Sequence, residues 1–159
     1  MKKLLDRIFI DGLTGMAQGL FATLIIGTII QQIGTYCGGN IGDLIFTLGK
    51  VAAGLTGAGI GAGVARKLDA GHLVIVSAAV VGMIGAFAGN VMSGDIVNGG
   101  SLVLSGPGEP LGAFVAAYIS IEIGILISGK TRLDIILTPL VCIGVCSAIG
   151  LLAGPPISG

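Results

Sequence analysis

The sequence predicts an all-α membrane protein: a bundle of about five transmembrane helices with a glycine-rich outer loop on a re-entrant path. Two observations carry this. The 159 residues are 53% hydrophobic and only 10% charged, with a mean hydropathy of +1.04, whereas a soluble domain carries about 25% charged residues. The 30 glycines are also far above the usual share of about 7%, and they sit inside the apolar runs without a G-x-y period. That excludes collagen and a disordered linker and fits close-packed helices with some broken backbone. Zero net charge gives no sign of nucleic acid among the partners.

The start, Met1-Lys2-Lys3-Leu4-Leu5, could pass for a signal-peptide n-region. The apolar run behind it is too long and is followed by four more. Residues 1–11, with Lys2, Lys3 and Arg7 against Asp6 and Asp11, read as a short interfacial helix. No charge occurs from Gly12 to Gly42, and about 20 residues cross a bilayer, so the first span is placed at 12–33. Its small face is Gly15, Gly19, Thr23 and Gly27, and Tyr36-Cys37-Gly38-Gly39-Asn40 forms a turn.

The second span, 41–65, holds the stretch on which the bundle turns, K-V-A-A-G-L-T-G-A-G-I-G-A-G from Lys50. Lys50, Gly54, Gly57 and Gly61 share one helical face, with Gly59 and Gly63 beside it. Two readings stand: a packing seam whose lysine snorkels, or a helix lining a polar site. The third span, 73–92, repeats the pattern at Ala78, Gly82, Gly85 and Gly89. The stretch 93–110 is rich in Gly, Ser and Asn, and the apolar Leu102-Val103-Leu104 within it favours a dip into the bilayer. The fourth span, 111–128, contains Glu122, and the fifth, 133–154, is expected to be interrupted by Pro139. The whole chain, 1–159, reads as one transmembrane domain.

Basic residues set the orientation. With the N-terminus inside, Lys2, Lys3, Arg7, Arg66, Lys67, Lys130 and Arg132 are all inner, as the positive-inside rule requires. The eighth is Lys50. That predicts a multi-pass membrane protein with its N-terminus inside and its C-terminus outside.

Lys50 and Glu122 are each expected roughly 13–17 Å below the outer boundary at 1.5 Å per residue. Equal depth and opposite charge make them a candidate ion pair, with Tyr118 one turn before Glu122 as a hydrogen-bond partner. The alternatives are a structural clamp or a protonated Glu122. In the outer stretch, Asp95, Asn98, Ser101, Ser105 and Glu109 could hydrogen-bond a polyhydroxylated solute, or belong to a solvated loop. Cys142 and Cys146 share a face of the last helix as small packing residues, and His72 reads as a solvated or capping residue. The run G-A-G-I-G-A-G lacks the strand and acid of a dinucleotide fingerprint. Neither a cofactor motif, a metal constellation nor a catalytic triad appears, so no catalytic residue is assigned.

I-D-G-L-T-G-M-A-Q-G-L-F-A-T-L-I-I-G-T-I-I, L-T-G-A-G-I-G-A-G, G-P-G-E-P-L-G-A-F and S-G-K-T-R-L-D-I-I-L-T-P with G-P-P-I-S together resemble one family. It is the phosphotransferase-system enzyme IIC-like membrane proteins, in their toxin-regulator-like branch, and the chain resembles their N-terminal half. The resemblance implies a bacterial-type cytoplasmic membrane and, in it, a sugar permease that hands its solute to a phosphorylating partner. It also implies that Glu109, in a G-x-x-E-P type loop with Gly106 and Pro110, contacts sugar hydroxyls. With no IIA or IIB module in the chain, phosphotransfer would need separate proteins. The expectation is therefore a IIC-type permease subunit with Glu109, Glu122, Lys50, Asn98 and Tyr118 as solute-binding candidates. It would work as a homo-oligomer or beside a second half of the same protein. The alternatives are a membrane regulator that binds a solute without moving it, and a purely structural subunit.

Overall fold

The computed structural model describes every residue except Asp95, Ile96, Ser105, Pro107, Thr131 and Gly159, and beyond Ile149 it describes only the side chain of Leu152. Helix α1 runs unbroken over Lys2–Cys37, 36 residues. The charged start is therefore the first turns of that helix and not a separate interfacial one. Two stretches of α1, Arg7–Gly12 and Phe21–Ile25, are wound as wider π-type turns. Gly38 and Gly39, both at positive φ, reverse the chain, because only glycine takes that region without a Cβ penalty.

The second apolar run is two helices, α2 (Gly39–Gly54) and α3 (Thr56–Lys67), bent by 50° at Leu55. Leu55 sits at φ −87°, ψ 13°, and the Thr56 hydroxyl donates to the Ala53 carbonyl at 2.6 Å. The buried Thr56 hydroxyl is thereby satisfied within the turn at the break. The third run is also broken: α4 (His72–Ala86) ends at Phe87, and α5 (Ala88–Ser93) follows. A two-residue hairpin, β1 (Val97–Asn98) against β2 (Ser101–Leu102), occupies the outer stretch. Helix α6 (Pro110–Ile127) begins with proline in its first turn, where the missing N–H costs nothing. Helix α7 (Asp134–Ser158) continues through Pro139 without the expected interruption.

Glycine contacts set the packing. A Cβ on Gly15 would lie 2.7 Å from Val64 Cα, and one on Gly27 would lie 2.7 Å from Ala53 N. One on Gly19 would strike the backbone of Gly59. The small face of α1 therefore docks along α2 and α3 in turn. On α3, Gly59 and Gly63 meet α1, whereas Gly57 and Gly61 meet α4 at Gly82, Ala86 and Ala78. The two expected strips are there, but the bend takes Lys50 and Gly54 out of the seam. Gly85 meets α6 at Ala116 and Gly112, while Gly89 faces open space and does not belong to the small face. The buried core gathers Ile60, Val64, Val74, Ala78, Ala117 and Ile121 from α3, α4 and α6. Cys142 and Cys146 of α7 are fully buried, as packing residues should be.

Beyond the break, the C-terminal part of α1 and all of α2 pack chiefly on each other, as an arm standing off this core. Among the described residues two helices, α1 and α6, are long and apolar enough to cross a membrane, and the bent α2–α3 pair makes a third candidate. His72–Ala86 and Asp134–Ile149 are shorter apolar helices.

Candidate functional site

The break in α2–α3 opens a site. Thr47, Lys50 and Gly54 share a face of α2 and, with Val51 and Leu55, line one wall of an open cavity of about 520 Å³. Met83 of α4 and the returning outer stretch, at Leu104 and Gly106, form the other wall. That stretch is tied to the end of α4, where the Glu109 N–H donates to the Ala86 carbonyl at 2.7 Å. Gly108 makes the contact possible. Its φ is +73°, and a Cβ there would lie 2.8 Å from Ala86. The bent α2–α3 pair, Met83 of α4 and a folded-back segment therefore converge on one cavity.

Within this cavity Lys50 is exposed. No ion pair within 4 Å and no hydrogen bond engages it among the described residues. Thr47 donates its hydroxyl back to the Asp43 carbonyl at 2.8 Å, so Lys50 is the free donor of this face.

Glu122 lies elsewhere. Arg7 Nε donates to Glu122 Oε1 at 2.8 Å, with both side chains about one third exposed (36% and 37%). This corrects the expected Lys50–Glu122 pair. Glu122 stands five residues before the end of α6, about 7.5 Å along the axis, and so at the level of the first π-type turn of α1. Tyr118 stacks obliquely on Phe114, with ring centroids 6.0 Å apart. Its hydroxyl is buried beside the Arg7–Glu122 pair and interacts electrostatically with both, although no hydrogen bond of regular geometry joins it to either.

Glu109 caps α6 in position only. It is exposed, its side chain makes no capping bond, and the described cavity lining does not include it. Asn98 is exposed in the hairpin opposite Ser101. Asp95 and Ser105 lie outside the described residues. Of the five candidate residues, the fold brings Lys50 to the outer stretch, places Tyr118 with Glu122, and leaves Asn98 on the surface. Sequence reasoning missed Arg7, Met83 and Leu104. Arg7 stands 115 positions from Glu122, and no spacing rule connects residues so far apart. Among the described residues, no group of three His, Cys, Asp or Glu side chains could hold a metal.

Fold and site together define a helical membrane protein in which the bent α2–α3 pair, α4 and the returning stretch line an open cavity. A family model described as "Phosphotransferase system, EIIC" matches residues 10–159. The chain belongs to that family and is a membrane permease component of a phosphotransferase system. No curated protein and no solved structure matches it.

Proposed function

We propose that the protein carries a carbohydrate-like solute through the membrane for phosphorylation by separate IIA and IIB proteins, and that the Lys50 cavity is its solute site. The observation behind this reading is the placement of a cation, unpaired among the described residues, in an open cavity at the bend between α2 and α3. Glu109, three residues beyond the cavity wall at Gly106, is the nearest acidic candidate along the returning segment and would meet the solute at the outer entrance. Arg7 and Glu122, with Tyr118 beside them, serve as a clamp between α1 and α6.

In this reading α1, the bent α2–α3 pair, α4 with α5, α6 and α7 make five spans, with the N-terminus on the cytoplasmic side. Support comes from the clustering of charged ends. Gly71, in the turn after Arg66 and Lys67, approaches Ser128, just before Lys130 and Arg132, and Arg7 reaches Glu122 near the same end of α6.

The test is uptake of a panel of labelled sugars into vesicles containing the protein, with and without the general phosphotransfer proteins. Uptake that depends on those proteins and falls with Lys50→Met supports the reading. Solute binding without uptake points to a regulator in its place.

A further inference from the structure

Among the described residues the cavity holds one charge, Lys50, and no ion pair compensates it. We infer that its solute is anionic: a polyhydroxylated molecule carrying a carboxylate or phosphate, whose charged oxygens meet the Lys50 ammonium. This rests on the proposal that the cavity is the solute site.

The argument is an accounting of carboxylates. The chain has eight, of which Asp95 is not described, and none of the other seven lies within ion-pair distance of Lys50. Glu122 is committed to Arg7 at 2.8 Å, and Asp69 faces Arg66 at 3.6 Å. Asp134 accepts from the Thr138 hydroxyl on its own helix. Asp6 and Asp11 lie in the first turns of α1, far along the chain from the break. Asp43 precedes Lys50 by two helical turns, about 10 Å along the axis, toward the tip of the arm. Glu109 is exposed at the start of α6 and outside the described lining.

The helix ends at Leu55 do not change this balance. The negative end of the α2 dipole and the positive end of the α3 dipole meet there and offset one another. The remaining described lining is Thr47, Val51, Gly54, Leu55, Met83, Leu104 and Gly106, none of which carries charge. A neutral sugar that displaced water from the ammonium would offer it no counter-charge, and stripping water from an unpaired charge is costly. An anion supplies that counter-charge together with charge-assisted hydrogen bonds. Specificity follows from the same physics, because a site built around an ionised donor rejects the analogue that leaves it unpaired.

A lipid phosphate offers the same chemistry as an anionic solute, so the experiment separates the two. The full chain carrying Cys37→Ser and Thr47→Cys is reconstituted in phosphatidylcholine vesicles. Cys142 and Cys146, both fully buried, are left in place. The rate at which a maleimide labels position 47, one turn from Lys50, is measured with D-gluconate or its neutral counterpart D-glucitol, and with D-glucuronate or D-glucose. Protection by the acids at concentrations where the neutral partners give none is expected. Lys50→Met in the same background should raise the protecting concentration about tenfold or more, and Lys50→Arg should retain protection.

Equal protection by acid and neutral partners, no protection by either acid, or protection indifferent to Lys50→Met overturns the inference. A position 47 that does not label shows a closed cavity and also overturns it. Protection conferred by phosphatidylglycerol in the vesicles, with none from the acids, assigns the lysine to the bilayer and overturns it as well. Phosphotransfer-dependent uptake of a neutral sugar that survives Lys50→Met would sink this inference and the assignment of the Lys50 cavity, and leave the permease function standing. Lys50-dependent protection by acids without any uptake would do the reverse.

Discussion

Arg7 and Glu122, 115 residues apart, are joined by a hydrogen-bonded ion pair of 2.8 Å that ties the first helix to the sixth. Both side chains are about one third exposed, which limits what the pair contributes. Arg7→Met or Glu122→Gln alone is expected to lower stability by about 1 kcal/mol. Unfolding in detergent should show coupling in the Arg7/Glu122 double-mutant cycle. The Lys50/Glu122 cycle should show less than about 0.5 kcal/mol, the error of independent sites. Coupling confined to the second cycle would contradict the pairing seen here.

Glycine positions should divide by what their missing Cβ would meet. Gly61→Ala places a methyl against the Ala78 backbone, and Gly57→Ala places one 2.7 Å from Ala86 Cβ. Overpacking of this kind costs about 1–3 kcal/mol, and leucine at either position should prevent folding. Gly89→Ala faces open space and should melt with the parent. Equal melting of all three alanine variants would mean that the seam does not hold α3 to α4.

The returning outer stretch offers a paired comparison. Gly106 and Gly108 both have positive φ, but only Gly108 would also strike Ala86. Alanine at either position carries the left-handed penalty of about 1–2 kcal/mol. Gly108→Ala should cost clearly more, because it also displaces the Glu109 N–H from the Ala86 carbonyl. Circular-dichroism melts of the two variants settle the order, and the reverse order would show that this contact does not hold the stretch.

Sidedness can be read by labelling. In the Cys37→Ser background an impermeant maleimide applied from outside should modify Ser101→Cys in the exposed hairpin and leave Lys67→Cys untouched. The opposite pattern would invert the proposed orientation.

Much of this was legible in the sequence because it depends on local chemistry. Low charge and long apolar runs dictate a membrane-embedded chain, and helices satisfy their own backbone groups there. Glycines three and four apart mark the faces where backbones meet, and Gly15, Gly19, Gly27, Gly57 and Gly61 all do so. Leu55 is different. Neither a proline nor a charge marks it, and the glycines flanking it are as compatible with a straight helix as with a bent one. The break is decided by the neighbours that the two halves must meet. Pro139 shows the converse, since a residue that disfavours a helix interior locally sits within an unbroken α7.

Helical class and small-residue faces were determined by the sequence alone, because each follows from residue type and helical period. Which charge meets which was decided only by the tertiary structure. Depth estimates counted along separate helices put Glu122 level with Lys50, but an ion pair needs contact within 4 Å. That contact depends on how α1 and α6 lie against each other and on the bend at Leu55, which carries Lys50 to the cavity wall with Met83, Leu104 and Gly106.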